Sequence, residues 1–377
     1  MGYTNGGIDG NSLTGTSDLF AVKYAPSGAQ LWARELGTAG TFTYGLSAAV
    51  DSSGNLYVGG ECGGGLDGNT SSGSSDIVLV KYAPDGTKLW THQYGTPADD
   101  HLGGVAIDAD DHLYLSGWTQ GSFGGMSTAG AEDIVVFRLD TEGNVQWIRD
   151  TGTPGTDEPT SIAVDGTGNV LVAGYTTGTL AGPGNAGQFD MFVAKFDPSG
   201  TYLWARQLGT PLIDSAAAVA ADADGNVYVA GYTYSSFDGH QSQGSIDGFV
   251  VKYDASGAKQ WSSLLGTPGD DFGLGITVDA AGIPYVVVRT SGALDGGSNT
   301  SATQYFIARL DPASGGLTWV HQEGAIQHGF DTAESVVTDA AGNVFASGFT
   351  NGGMDGNTNA GNYDAFVVKL ETSGRKR

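Results

Sequence analysis

Hydrophobic positions along the chain fall into short, strand-like runs of four kinds that recur in the same order. The first, a, reads Ser-Ala-Ala-Val-Asp at 47–51 and Gly-Val-Ala-Ile-Asp at 104–108. The second, b, follows an Asp-x-x-Gly-Asn turn and reads Leu-Tyr-Val at 56–58 and Val-Tyr-Val at 227–229. The third, c, is the most uniform, with Asp-Leu-Phe-Ala-Val-Lys-Tyr from Asp18 and Asp-Ala-Phe-Val-Val-Lys-Leu from Asp364. The fourth, d, carries a tryptophan and ends at Gly-Thr. Pro-Ser-Gly, Pro-Asp-Gly or Ala-Ser-Gly turns join c to d, the chemistry a hairpin requires. The b-to-c connections are longer and rich in Gly, Ser, Asn and Asp.

The repetition is regular. Tryptophans stand at 32, 90, 147, 204, 261 and 319, spaced 58, 57, 57, 57 and 58 residues apart. Four short antiparallel strands per unit, repeated at least six times, predict an all-β fold, a β-propeller of four-stranded blades. A solenoid is the competitor, but solenoid repeats are usually shorter, and a parallel β-helix has no use for hairpin turns. A period carried from one end to the other leaves no room for a second domain, so residues 1–377 read as one propeller of roughly 57-residue repeats.

The motifs Asp-x-Phe-Val-Val-Lys-Tyr-x-x-x-Gly, Trp-x-x-x-x-Gly-Thr and Val-Asp-x-x-Gly-Asn-x-Tyr-Val-Ala-Gly resemble the SBBP family of bacterial β-propeller repeats. The resemblance implies a propeller, commonly within secreted or surface-attached bacterial proteins. It implies no activity, because the family has no common catalytic residues to carry over. Strand c occurs seven times, centred on Phe20, Val78, Val135, Phe192, Phe249, Phe306 and Phe366, whereas a and d occur six times each. Gly2-Tyr3-Thr4 matches the end of a b strand at Gly348-Phe349-Thr350, so the sequence begins and ends in mid-repeat, as in a section of a longer array. Seven blades are favoured, the first lacking its inner strand and the last its outer one. The alternative is six blades, closed by strands from both termini.

Charge narrows the partners. Acidic residues number 41 against 16 basic, a formal charge of −25 that repels nucleic acid and anionic membrane surfaces. Cations, neutral sugars and basic protein surfaces are left. Cys62 is the single cysteine, which excludes an intramolecular disulfide and a cysteine-ligated zinc site. No apolar run is long enough to span a bilayer, and the first residues lack the basic start and apolar stretch of a signal peptide. The expected state is a monomer unless an open seam pairs with another chain.

Four recurring positions are candidates for chemistry. Each c strand has one basic residue: Lys23, Lys81, Arg138, Lys195, Lys252, Arg309 and Lys369. Buried cations need partners, so ion pairs are expected with Asp100, Asp157, Asp214, Asp271 and Asp331, which recur ahead of strand a. In the b-to-c loops, Asp-Gly-Asn is followed by an Asp nine residues after its first residue, at Asp9/Asn11/Asp18, Asp67/Asn69/Asp76 and Asp355/Asn357/Asp364. Asp238 and Asp247 keep that spacing with His240 between. Two carboxylates, an amide oxygen and glycine-freed carbonyls could ligate Ca²⁺. The plainer reading is an Asp-Gly turn plus an Asp anchoring strand c, and Gly124, Ala181 and Gln304 break the pattern in other copies. No cofactor is required by this reading, with Ca²⁺ as the candidate. The Asp of the a-to-b turn, as in Asp222-Ala-Asp-Gly-Asn226, is read as a carboxylate capping turn amides.

Just after strand b, equivalent positions hold Tyr3, Glu61, Trp118, Tyr175, Tyr232, Arg289 and Phe349. Aromatics repeated at one position could fill the wedge between blades or form platforms for sugars. Glu61, Trp118 and Arg289 depart from the repeat, and such departures are where a repeat protein would place a unique site. Together with Tyr175 and Tyr232 they are the ligand-binding candidates. The histidines (92, 101, 112, 240, 321 and 328) show no metal-ligand spacing, and His92 and His321 replace an Arg two residues after the Trp, as surface substitutions would. No nucleophile elbow or phosphate-binding glycine loop occurs, and no acid pair stands out from the repeat. The expectation is a non-catalytic binding scaffold, extracellular or at the cell surface. A lectin-like module is the alternative, and a polysaccharide-acting enzyme a more distant one.

Overall fold

A computed structural model describes residues 1–125, 129–182, 184–293, 303–324, 329–354 and 356–376, so the candidate ligand Asp355 and His328 lie outside it. The chain falls into two compact units, Met1–Val164 with Phe196–Tyr202, and Asp165–Lys195 with Leu203–Arg377.

The strands are β1 (Gly2–Thr4), β2 (Asp18–Tyr24), β3 (Gln30–Leu36), β4 (Thr43–Val50), β5 (Leu56–Cys62), β6 (Asp76–Tyr82), β7 (Lys88–Tyr94), β8 (Asp100–Ile107), β9 (Leu113–Thr119), β10 (Asp133–Leu139), β11 (Val145–Thr151) and β12 (Asp157–Val164). There follow β13 (Val170–Thr176), β14 (Asp190–Phe196), β15 (Tyr202–Leu208), β16 (Asp214–Ala221), β17 (Val227–Thr233), β18 (Asp247–Tyr253) and β19 (Lys259–Leu265). The last are β20 (Asp271–Val278), β21 (Pro284–Thr290), β22 (Gln304–Leu310), β23 (Leu317–Glu323), β24 (Asp331–Thr338), β25 (Val344–Thr350) and β26 (Asp364–Leu370). They form seven sheets in chain order: β1–β3, β4–β7, β8–β11, β12–β15, β16–β19, β20–β23 and β24–β26. The fold is an all-β propeller of seven blades. The first and last sheets have three strands each, lacking an a and a d strand respectively. The six-blade alternative is thereby corrected, since it needed one sheet shared by strands from both termini. No described helix is long and apolar enough to cross a membrane.

Hydrophobic pattern explains which strand sits where. All seven residues of β6 are buried, and β17 and β18 are buried except at one position each, as expected of b and c strands covered on both faces. The d strands start with two exposed residues, and the a strands mix buried with part-exposed ones. In the first unit, Tyr57, Ile77 and Leu79 pack in one cluster with Leu115, Val135 and Phe137 of the next sheet. In the second, Tyr228 and Val250 pack with Val286, Val288 and Phe306. Each such side chain contributes about 1.5–3 kcal/mol on burial. Every a strand whose pairing is described also contains a register shift against b, at Gly45/Ser47, Leu102/Gly104, Ala216/Ala218, Gly273/Gly275 and Ala333/Ser335. Such bulges increase local twist.

The a-to-b turns match the sequence reading. Asp222 Oδ1 accepts from the amides of Asp224 (3.1 Å) and Asn226 (2.9 Å), while Gly225 takes φ +78°. The c-strand cations do not. The expected ring of ion pairs with the Asp residues before strand a is absent from the described contacts. Instead Lys81 Nζ donates to the Thr141 carbonyl at 2.8 Å and Lys252 Nζ to Pro312 at 2.9 Å, each over a tyrosine ring at 5.1 and 5.0 Å. Among the described residues Lys195 is the c-strand cation that forms a short ion pair, 2.8 Å to Asp165 of the a-to-b turn. The Asp residues that were to partner the lysines accept from threonines instead, with only Asp271 Oδ1 among their oxygens buried without a hydrogen-bond partner among the described residues. Asp100 accepts from Thr96 N and Thr119 Oγ1, both at 2.5 Å; Asp214 from Thr210 N and Thr233 Oγ1 at 2.5 Å. Asp157 and Asp271 accept from Thr153 N (2.5 Å) and Thr267 N (2.6 Å), and Asp331 from Thr350. Burial with donors already in place removes the need for a cation.

The d strand latches the next sheet in the same way. Trp204 Nε1 donates to the Ala255 carbonyl at 3.2 Å and Arg206 Nε to Gly257 at 2.5 Å, both in the following c-to-d turn. Trp147 and Arg149 treat Pro198 and Gly200 alike, at 3.1 and 2.8 Å. His92, which the sequence reads as a surface substitution, fills this latch position, with Nε2 2.9 Å from the Glu142 carbonyl.

Candidate functional site

The residue after the core of strand b is the last but one of its strand. It lies directly across from the second residue of strand a: Glu61 opposite Tyr44, Trp118 opposite His101, Tyr232 opposite Ser215, Arg289 opposite Phe272. The b core is buried on both faces, but these positions are only half-buried. The alternation of the pleat therefore aims one large side chain per repeat at a rim at this end of the sheets.

In the first unit the rim brings together two of the three repeat-breaking residues. Glu61 Oε2 lies 2.6 Å from His101 Nδ1, and the imidazole stacks on the Trp118 indole at 4.0 Å between centroids with 17° between planes. Burial alone would lower the His101 pKa, but the Glu61 carboxylate outweighs it and holds the imidazole above its ordinary value. Beside this group Tyr44 packs between Tyr3 (4.5 Å) and Phe42 (4.7 Å).

In the second unit the third repeat-breaker, Arg289, lies over the Phe272 ring at 4.1 Å, with Phe330 at 5.8 Å. Tyr232 meets Phe272 at 5.0 Å and Tyr234 at 6.2 Å; Phe349 meets Phe330 at 6.0 Å and Tyr363 at 5.3 Å. Tyr175 packs on Phe189 at 5.0 Å. Tyr3 and Tyr232 pack on the neighbouring sheet, as wedge residues would, while Tyr175 and Phe349 meet rings of their own repeat. They also remain open at the rim: Tyr3 is 57% exposed, Tyr234 37% and Tyr363 57%.

The loop carboxylates are placed differently. Asp9 accepts from Gln30, Asp67 from Lys88 and Thr91, and Asp238 from Lys259, all side chains of strand d. The later Asp of each loop turns to loop amides: Asp18 to Thr14 N (2.6 Å) and Gly15 N (2.7 Å), Asp76 to Ser72 N (2.8 Å), Asp247 to Gln243 N (3.1 Å), Asp364 to Ala360 N (2.7 Å). Asn11, Asn69 and Asn357 donate their amide to the carbonyls of Ile8 (2.7 Å), Leu66 (2.8 Å) and Met354 (3.1 Å). Each carboxylate thus serves a different donor set of the chain itself. Among the described residues no group of three or more His, Cys, Asp or Glu side chains converges as a metal site would need.

One acid pair does stand out from the repeat, and the sequence reading passed over it. In strand d, Gln93 and Gln207 donate to Asp76 (2.8 Å) and Asp190 (3.0 Å) at the start of strand c. Asp150 replaces that glutamine opposite Asp133. Asp150 Oδ2 and Asp133 Oδ1 are buried without a hydrogen-bond partner among the described residues, and burial together with the Asp133 charge pushes Asp150 up to about 6. The signal was visible in an alignment of the repeats at positions 93, 150, 207 and 322.

Residues 31–66, 146–180 and 203–238 match the profile of the SBBP beta-propeller repeat, so the chain carries SBBP repeats at three regions. Residues of the chain are 27% identical over 173 positions to an uncharacterized WD repeat-containing protein of Acanthamoeba polyphaga mimivirus, covering 38% of this chain and 12% of that one. They are 28% identical over 204 positions to the regulatory protein FlaEY of Caulobacter vibrioides, covering 51% and 21%. The chain thus spans only 12% and 21% of the length of these relatives. Similar solved structures include the quinohemoprotein alcohol dehydrogenase of Comamonas testosteroni, with a TM-score of 0.49 at 12% identity over 95% of this chain and 64% of that one. BamB of Moraxella catarrhalis has a TM-score of 0.41 at 14% identity over 89% of each chain.

Proposed function

We propose that the chain is a non-catalytic binding scaffold whose ligand face is the rim at the ends of the b strands. The observation that carries this reading is that each compact unit has, at this end of its own b strands, a group of half-exposed aromatic and charged side chains: Glu61, His101 and Trp118 in the first, Tyr232, Phe272 and Arg289 in the second. Exposed apolar surface gathered in one place marks an interaction site more often than scattered rings do. A holding role is supported by the use made of Glu61 and His101. They bond to each other, and among the described residues no nucleophile hydrogen-bonds to either. The formal charge of −25 disfavours nucleic acid and anionic membranes as partners, which leaves proteins and glycans. An extracellular or cell-surface setting is part of the proposal and is supported by the likeness to SBBP repeats.

A carbohydrate ligand is favoured over a protein one by the rings at the open edge. Tyr232, Tyr234 and Tyr363 make ring contacts but no hydrogen bond through their hydroxyls among the described residues, so flat apolar faces and free O–H groups stand side by side. Binding to a glycan panel tests the reading, with Trp118→Ala and Tyr232→Ala as rim variants, one in each unit. Loss of about tenfold or more in affinity in at least one variant, with the fold intact by circular dichroism, is the expected result. Undiminished binding by both would place the ligand elsewhere.

A further inference from the structure

Arg289 is one of sixteen basic residues in a strongly acidic chain, yet it has no carboxylate partner among the described residues. Its described contacts are with aromatic rings, Phe272 at 4.1 Å and Phe330 at 5.8 Å. A guanidinium stacked on a ring has a covered face but keeps its N–H donors in plane, directed outward from the ring. Its rotamers are restricted by the packing, so the fork is set in advance for a planar acceptor with two oxygens. The c-strand cations of the adjacent sheets are engaged elsewhere, Lys252 on the Pro312 carbonyl of the following turn and Lys369 over the Phe345 ring.

We propose that Arg289 is the anchor of a site for a glycan bearing a single carboxylate, a uronic-acid sugar, with the carboxylate on the guanidinium and the pyranose faces on the surrounding rings. The inference rests on the rim being a ligand face, and narrows it to a ligand class and a residue. One guanidinium with no carboxylate partner among the described residues matches one carboxylate, and a chain of formal charge −25 would repel a ligand with many anionic groups. Phe330, Phe349 and Tyr363 continue from the guanidinium on one side, while Tyr232 and Tyr234 continue beyond Phe272 on the other. These rings meet one another mostly edge-to-face, so their faces open in different directions around the guanidinium and a single pyranose can rest on one of them, while the phenolic hydroxyls of Tyr232, Tyr234 and Tyr363 have no hydrogen-bond partner among the described residues and can meet sugar hydroxyls.

Methyl glucuronoside and methyl glucoside, which differ only in the carboxylate, separate the claims when titrated against the full chain by calorimetry and saturation-transfer NMR. The expected result is a preference for the glucuronoside of about tenfold or more, which Arg289→Gln abolishes and Arg289→Lys reduces. Should Arg289→Gln fail to fold, Arg289→Lys carries the same test, because it keeps the charge and loses the planar fork. Equal binding of the two sugars would overturn the carboxylate assignment while leaving the rim as a ligand face. Equal preference of a galactose 6-sulfate would reduce the site to a general anion site and overturn it as well. Failure of both methyl glycosides, in a chain that still binds members of the glycan panel, would overturn this inference alone; failure of the whole panel would overturn the carbohydrate reading with it.

Discussion

At the scale of the residue, the positions that depart from the repeat divide into those that build the rim and one that weakens the fold. Glu61 and Trp118 are separated by a blade in sequence, and the imidazole of His101 joins them. Protonation of His101 is favoured in the native state by Glu61 against the opposing effect of burial. A histidine raised in this way stabilises the fold fully below its unfolded pKa, about 6.5, and that contribution is lost as pH rises through the native value. NMR titration should show a His101 midpoint above about 6.5 in the wild type and a lower one in Glu61→Gln; an unchanged midpoint would mean the pair is not formed in solution. Asp150 has the opposite consequence for neutral pH. Its pKa is pushed up to about 6, so its cost is absent below the unfolded value of about 4, grows as pH rises above that value and is complete once pH has passed the native one. Asp150→Gln restores the residue found at 93 and 207 and should stabilise the chain at pH 7 by about 1–2 kcal/mol, with little effect at pH 4. Urea melts at the two pH values check this, and a destabilised variant at pH 7 would contradict it.

At the scale of the element, strands and turns were legible because their chemistry is local. The c strand announces itself by an apolar run between Asp and Lys, and the a-to-b turn by its Asp and Gly. Partners across sheets were not. Lys81 and Arg206 end on backbone carbonyls, which carry no side-chain signature, so sequence offers the nearest recurring carboxylates instead. Glu61 and Trp118 could be marked as unusual, but their junction through His101 depends on the pairing of a with b and on the next sheet's approach. The latch between strand d and the following turn can be tested on glycine. Gly257 and Gly282 have positive φ of +81° and +78°, so a side chain is strained at both. At Gly257 a Cβ would also stand 2.8 Å from the Arg206 guanidinium and 2.9 Å from the Trp204 ring, whereas Gly282 has open space. Gly257→Ala should therefore lower stability by about 1–2 kcal/mol more than Gly282→Ala. Equal losses in chemical denaturation would show that the docked turn contributes nothing beyond its own conformation.

At the scale of the whole molecule, repetition separates a structural majority from a functional minority. Most recurring residues serve the sheets: threonines donate to buried carboxylates, lysines and arginines hold turns, and loop acids take their donors from loop amides or from strand d. What is left over is concentrated at one end of the b strands, in both compact units. The repeat period made the blades readable, and the breaks in it pointed to Glu61, Trp118 and Arg289; the cooperating residues on strand a had no such mark. The central claim is that this rim, and not the c-to-d turns with their many polar groups, is the ligand face. Hydrogen–deuterium exchange of the chain with and without the tightest-binding member of the glycan panel tests it directly. Slowed exchange at residues 42–46, 60–62, 231–235 and 271–273, in one unit or both, is the predicted result. Slowing confined to the turns at 84–87 and 255–258, or no slowing with any glycan, would contradict the account.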